Sequence, residues 1–240
     1  YNTAVGYQAL QGSSTTLSNT GQYNTAIGDQ AMTLNSSGEQ NTAIGYSALG
    51  ANTTASYSTA IGYSALSANT EGSYSTGIGF EVMKNTTTGG SNLAAGYQAL
   101  YSNIGKNRST ALGIKAMYYA NNSTESGDTY NTAVGYEALQ GSDTPAGNTG
   151  TDNTAVGDHS LASNSSGSGN TALGRNALNG NTTGSNNTAI GYGADVSDGT
   201  YTNTTTAGYN TSATSSNQVR LGNSSITTFY CQGAYAGTVG

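Results

Sequence analysis

What this chain lacks narrows what it can be. Among its 240 residues there is one Cys, one Pro and no Trp, and only 8% of residues are charged. The lone Cys231 rules out an internal disulfide framework and every metal site built on clustered cysteines. Six Lys and Arg stand against 12 Asp and Glu, for a formal net charge of −6. That balance argues against nucleic acid as a partner, because phosphate binding needs clustered basic side chains. No apolar run approaches the ~20 residues that a membrane-spanning helix requires, so no membrane insertion is expected. Leu, Ile, Val and Phe together number 30 of 240, below the roughly 20% under which disorder is suspected. Disorder also calls for high net charge, which is missing. The chain is therefore either a linker or something that folds without an ordinary core. It begins at Tyr1, within a repeat and without Met, which suggests a fragment or processed piece with any signal segment outside it.

What is present in excess is Gly, Asn, Ser and Thr, written as a repeat. NTAVGYQAL at 2–10 returns as NTAIGDQAM at 24–32, NTAIGYSAL at 41–49 and NTAVGYEAL at 131–139. Its glycine falls at Gly6, Gly28, Gly45, Gly62, Gly79, Gly96, Gly113, Gly135, Gly157, Gly174, Gly191 and Gly208, in steps of 17 or 22 residues. Internal repeats at so regular a spacing take precedence over other fold readings. The residue before the glycine is Val5, Ile27, Ile44, Ile61, Ile78, Ala95, Leu112, Val134, Val156, Leu173, Ile190 or Ala207. Four after it stands an apolar residue such as Leu10, Met32, Leu49, Leu66 or Met83. Each unit thus offers two apolar anchors, a few Ala, and nothing else to bury.

Such a unit cannot fold alone, but stacked copies can form ladders in which each coil pairs with the coil above and below. Seventeen residues are too few for a helix pair, which needs ~34 to 47, and Gly, Asn, Ser and Thr resist helix. The expected fold is all-β: a parallel β-solenoid, or β-roll, of about twelve coils, each with two short strands and two turns around one Ile, one Leu and some Ala. The motif glycine permits a turn or a close backbone approach, and the N-x-x-G and NTTG pieces read as turns. The array is assigned to 1–215. Residues 216–240 leave the period and read as a closing segment or a junction to a missing C-terminal module. A core this thin suggests that several chains share an axis and bury further Ala, Val or Tyr between them.

No catalytic constellation is legible. His159, the single histidine, sits in VGDHSL where other copies carry Gln, Ser or Glu, and reads as an exposed loop residue. Asp29 and Asp158 share a repeat column but lie several copies apart, too far for the paired carboxylates of a glycosidase. The GGxGxD signature of calcium-binding rolls is absent. The expectation is no enzyme, no metal and no cofactor. Sequon-like triplets beginning at Asn35, Asn52 and Asn181 are expected by chance in so Asn- and Thr-rich a chain.

Two features invite a binding reading. The column after the glycine carries Tyr7, Tyr46, Tyr63, Phe80, Tyr97, Tyr136, Tyr192 and Tyr209, an aromatic ladder that either packs against its neighbours or offers a platform for sugar rings. Asp29, Asp158 and Arg175 interrupt it, so the column is at least partly solvated. The 22-residue steps add five residues at about 11–22, 118–130 and 140–152. Insertions project from one edge of a solenoid, often the binding edge. The second and third fall on consecutive coils, so Tyr118, Tyr119, Asn121, Asn122, Asp143 and Asn148 are candidates for a polar, aromatic surface suited to glycans.

The A-I-G-x-x-A-L motif with an upstream Ser or Thr resembles the head repeats of trimeric autotransporter adhesins. The fuller NTAIGYSAL…NTTGSNNTAIGY style is similar to bacteriophage tail fibres and bacterial tail-fibre-domain proteins, and SNQVRLGNSSITTF at 216–229 resembles the segment closing such arrays. The resemblance implies a left-handed parallel β-roll, a homotrimer, and a fibre at the virion or extracellular surface that presents a host or surface receptor-binding site, for carbohydrate or protein. A self-assembling extracellular filament or matrix protein, with rods associated end to end, is the alternative. An ice-binding solenoid is a remote one, since the Thr column is only one residue wide per coil.

Overall fold

The computed structural model describes residues 1–12 and 20–228. Tyr230, Cys231, Tyr235 and most of the first long insertion lie outside them. In chain order the strands are β1 (Thr3–Val5), β2 (Thr25–Ile27), β3 (Thr42–Ile44), β4 (Thr59–Ile61), β5 (Thr76–Ile78), β6 (Leu93–Ala95), β7 (Lys106–Asn107), β8 (Thr110–Leu112), β9 (Gly127–Asp128), β10 (Thr132–Val134), β11 (Thr154–Val156), β12 (Thr171–Leu173), β13 (Thr188–Ile190), β14 (Asp195–Val196), β15 (Thr205–Ala207), β16 (Ser212–Ala213) and β17 (Val219–Leu221). Thirteen of them stack in one sheet, β1-β2-β3-β4-β5-β6-β8-β10-β11-β12-β13-β15-β17, while β14 pairs with β16 and β7 with β9. Every pairing is parallel and keeps the repeat in register, Thr42 on Thr59, Ala43 on Ala60 and Ile44 on Ile61. The fold is a parallel β-solenoid of about 17 residues per coil. At ~4.8 Å per rung its twelve steps span about 58 Å.

Each coil contributes one three-residue strand to the long sheet where two strands were expected. The remainder of the coil is turn, still bonded to the next coil: Leu49 N donates to Ala65 O at 3.0 Å and Thr53 N to Thr70 O at 3.1 Å. The reason is local. The second and fourth residues after the motif glycine take left-handed backbone, Ser64 at φ 50° and Leu66 at φ 51°, and no extended run survives such a corner. The glycine is needed for another reason. At Gly62 φ is +134°, and an added Cβ would lie 2.2 Å from Gly79 O on the next rung. The sheet also runs one rung past the expected end of the array, because Val219 of β17 pairs with Thr205.

The expected pair of core anchors is half right. The fourth residue after the glycine is inside: Met32, Leu49, Leu66, Met83, Leu100, Leu161 and Leu178 are fully buried, each contributing ~1.5–3 kcal/mol. The residue before the glycine is outside. Val5 is 58% exposed, Ile78 45% and Ile190 47%. Strand alternation dictates this: in Thr-Ala-Ile only one side chain can point inward, and in most coils that place is filled by alanine, as Ala43, Ala60 and Ala189. Where Gly77 replaces that alanine, an added methyl would already meet Met83 Cε at 3.0 Å and Leu66 Cδ1 at 3.2 Å.

Two further inner columns are asparagine, a role that reading Asn as turn chemistry misses. In the first, four residues before the glycine, Oδ1 accepts the backbone N–H of the next rung, as Asn24 does from Asn41 at 2.9 Å, while Nδ2 donates across the coil, as from Asn41 to Ala55 O at 2.8 Å. In the second, seven residues after the glycine, each amide donates to a carbonyl three residues on, and Asn52, Asn69 and Asn181 donate as well to the amide oxygen below. Asn52 Nδ2 thus reaches Ala55 O at 3.1 Å and Asn35 Oδ1 at 2.7 Å. Asn35, Asn52 and Asn181 of the sequon-like triplets belong to this buried column and are not presented to solvent. Buried amides of this kind stabilise only while every donor and acceptor is paired.

Candidate functional site

The second asparagine column is interrupted where the two consecutive insertions fall. It runs Asn35, Asn52, Asn69, Thr86, Asn103, and resumes at Asn164 and Asn181; between them the column positions hold Ala120 and Ser142. Asn103 Nδ2 still donates to Lys106 O at 3.0 Å. Its Oδ1, in a residue 1% exposed, has no hydrogen-bond partner among the described residues, because Ala120 has no N–H side chain to offer.

A cavity of about 280 Å³ opens in this gap. Asn103 and Asn164, the broken ends of the ladder, both line it, with Met117, Leu139 and Ala120 as apolar wall. Tyr119, Asn121, Gln140, Lys106, Glu125 and Asp128 add polar groups of both signs. The two longer coils make the space. In the first, the chain leaves after Tyr119 and returns through the β7–β9 pair, Lys106 on Gly127 and Asn107 on Asp128. In the second, a short helical turn at Pro145–Gly147 carries the chain to Asn148.

Asp128 is held by Tyr130 Oη, which donates to Oδ2 at 2.8 Å, by Asn107 Nδ2 at 3.4 Å and by Arg108 Nε at 3.4 Å. The Tyr130 bond, the largest influence, holds the carboxyl below its usual range; desolvation opposes it, and the smaller pulls of Asn107 and Arg108 support it. The rim therefore carries a fixed negative charge beside the Lys106 ammonium.

The six candidates separate. Tyr119, Asn121 and Asn148 line the cavity. Asn148 is an internal staple: Nδ2 donates to Ser142 O at 2.8 Å and to Tyr119 O, and Oδ1 accepts from Ser142 N at 2.9 Å. Asn121 Oδ1 caps Ser123 N at 2.7 Å. Tyr118 stacks on Tyr101 at 5.1 Å and meets Tyr119 edge-on at 4.7 Å; its hydroxyl pKa is raised, by burial first. Asn122 and Asp143 are exposed. Asn103, Lys106, Glu125 and Asp128 were missed, although the break in the Asn column at Ala120 and Ser142 could have pointed to them.

The aromatic column lies on the outside, its eight members between 42% and 68% exposed. Tyr46, Tyr63, Phe80 and Tyr97 stack continuously at 5.1–5.4 Å, and Tyr192 stacks on Tyr209 at 5.6 Å. Tyr7 and Tyr136 fall where the column is broken by Asp29 and Asp158, whose Oδ1 atoms accept their backbone N–H groups at 3.1 and 3.2 Å. His159 Nε2 is 3.2 Å from Glu137 Oε2 and its ring lies edge-on to Tyr136. Among the described residues no group of three or more His, Cys, Asp or Glu could hold a metal ion, and no helix is long and apolar enough to cross a membrane. Family models, curated proteins and solved structures give no match to this chain, and the site is read from its own geometry.

Proposed function

We propose that the chain is a rod-like structural segment of an extracellular or virion-surface appendage, assembled from three copies around a shared axis, and that it presents a surface for contact with cell-surface carbohydrate or protein. The observation that carries this reading is the outward apolar column. Val5, Ile27, Ile44, Ile78, Leu173, Ile190 and Leu221 are each at least 37% exposed along one face, and the aromatic column lies two residues further along, interrupted at Asp29, Asp158 and Arg175. A face of about 58 Å by roughly 13 Å, from the Thr column to the aromatic column, offers about 750 Å². That approaches the ~800 Å² per partner of a stable interface. With a thin core inside each coil, the outer face is where further burial is available.

Light scattering with negative-stain microscopy of the purified chain tests this. A short rod with three times the 24.1 kDa chain mass is expected. Lysine at both Ile78 and Ile190 should dissociate it while each chain keeps its far-ultraviolet signal, since neither side chain enters the coil. A monodisperse single chain would overturn the shared axis, and long filaments would move the assignment to a self-assembling matrix without a ligand of its own.

A further inference from the structure

We infer that the cavity between the two long coils is a binding site for one ring of a neutral saccharide, with Asn103 Oδ1 as the buried acceptor that orients it. The inference takes the class of ligand from the proposed surface role and the place from the cavity itself.

The orphaned oxygen sets the first requirement. A buried amide oxygen without a partner is costly and rare in native structures, and this one belongs to a residue 1% exposed that lines the cavity wall. Whatever fills the space must bring an O–H or N–H to it. A carboxylate has no such hydrogen, and any anion, a phosphate included, would face the Glu125 and Asp128 carboxylates in the lining. A metal ion would need more acidic ligands than the described residues gather here. The lining sets the second requirement. Met117, Leu139 and Ala120 present apolar surface, while Lys106, Glu125 and Tyr119 present donors and acceptors. A pyranose matches both: hydroxyls that donate and accept around its edge, and a C–H face for the apolar wall. The volume of about 280 Å³ falls just below the ~300–1,000 Å³ of ordinary ligand sites, which admits a single ring and leaves no room for a peptide strand or helix.

The repeat supplies the decisive variant. Ala120→Asn restores the missing rung: its amide can donate to Asn103 Oδ1, as Asn52 donates to Asn35, and it fills the gap. Ligand-observed NMR on the full chain would be run with methyl glucoside, methyl galactoside, methyl mannoside, N-acetylglucosamine and N-acetylgalactosamine. Each is taken to about 20 mM, well above a Kd of ~1 mM. Saturable binding of at least one sugar is expected. Ala120→Asn and Asn103→Ala should each weaken it at least about tenfold, the effect of losing one buried hydrogen bond, whereas Asn52→Ala should leave it unchanged. If no sugar saturates, the cavity holds water only and the inference is wrong. If binding survives Ala120→Asn unaltered, the sugar sits elsewhere, as on the exposed aromatic column, and the inference is equally wrong. Light scattering on the same samples separates the two proposals: a trimeric rod that binds no sugar leaves the fibre reading standing, and a sugar-binding single chain leaves this site standing.

Discussion

Replacing Asn52 by Ala and replacing Asn103 by Ala remove the same side chain from the same column, yet the two changes should differ in effect. Asn52 Nδ2 donates to Asn35 Oδ1 at 2.7 Å and to Ala55 O at 3.1 Å, and its Oδ1 takes a long contact of 3.5 Å from Asn69 Nδ2. Without it, Ala55 O keeps its bond from Asn41 and Asn69 keeps Gly72 O, but Asn35 Oδ1 is left buried and unpaired. One orphaned acceptor costs about 1–3 kcal/mol, and each lost bond about 0.5–1.5 kcal/mol. Asn52→Ala should therefore destabilise by about 2–6 kcal/mol. Asn103→Ala loses a good bond to Lys106 O, which still receives Asn92 Nδ2 at 2.9 Å, and a 3.5 Å contact with Thr86 Oγ1. It also deletes an oxygen that is already orphaned. Gain and loss nearly cancel, and a net change within about 1 kcal/mol is expected.

Guanidinium unfolding followed by circular dichroism, at one protein concentration so that assembly contributes equally, reads the difference as a shift in midpoint. Repeat arrays need not unfold in one step, so amide hydrogen exchange around Leu49–Asn52 and Leu100–Asn103 should accompany it and show protection lost only for the first variant. The void left by Asn→Ala is alike in both and drops out of the comparison. Equal losses for the two variants would refute the claim that column continuity, and not the side chain as such, carries the stabilisation.

Three further outcomes follow from the same structure. Thr206 occupies the Ala column, pairs with Ala189 and buries a hydroxyl with no partner among the described residues; Thr206→Val keeps its shape and should raise the thermal midpoint by an amount equivalent to about 1–3 kcal/mol. Asp195 is half-buried and accepts from Gly180 N at 2.9 Å and Val196 N at 2.8 Å, and burial outweighs these bonds and raises its pKa above 3.8. The folded chain then retains a proton that the unfolded chain releases, so this contribution to stability is present at acid pH and is lost as pH rises from about 4 through the raised value; unfolding midpoints between pH 3 and 7 should show that slope, and Asp195→Asn should remove it. Gly77 faces Val82 Cγ1 at 3.2 Å from its would-be Cβ, where most coils pair Ala with Ala; Gly77→Ala alone should cost about 1–3 kcal/mol by overpacking, and adding Val82→Ala should recover most of it, a coupling that a double-mutant cycle measures.

The architecture was legible because a solenoid repeats its contacts whenever it repeats its letters. The register of the motif glycines is the register of the rungs, Thr42 over Thr59 and Ala43 over Ala60. The inside and outside of the coil were less legible. Ile and Leu look equivalent in composition, but a strand of three residues admits one inward side chain, and that inward place is taken by a small residue, alanine in most coils and Thr206 in one. Ile44 and Ile61 were thus placed in the core by hydrophobicity and set outside it by alternation. Asparagine misled in the other direction. It is a turn residue by habit, and only closure of the coil shows Asn41 and Asn52 paired and buried. The insertions did mark the neighbourhood of the cavity, but Asn122 and Asp143 face solvent, while the acceptor that gives the cavity its chemistry, Asn103, sits in an ordinary-looking rung one coil earlier.

A perfect ladder leaves a ligand nothing to bind. Each amide oxygen in the runs from Asn35 to Asn69 and from Asn164 to Asn181 has a partner, a column neighbour for Asn35, Asn52 and Asn164, Gly72 N for Asn69 and Asn187 Nδ2 for Asn181, and a satisfied group offers a ligand no more than water does. Recognition inside such a fold has to arise where the repeat departs from itself, because only there is a buried group left wanting. The departures at Ala120 and Ser142 coincide with the only two consecutive long coils, and Ala120, the first of the two, also lines the space beside it. Column break and coil lengthening are separable by mutation. Ala120→Asn mends the column without shortening the chain, so whatever it removes belongs to the break and not to the loop.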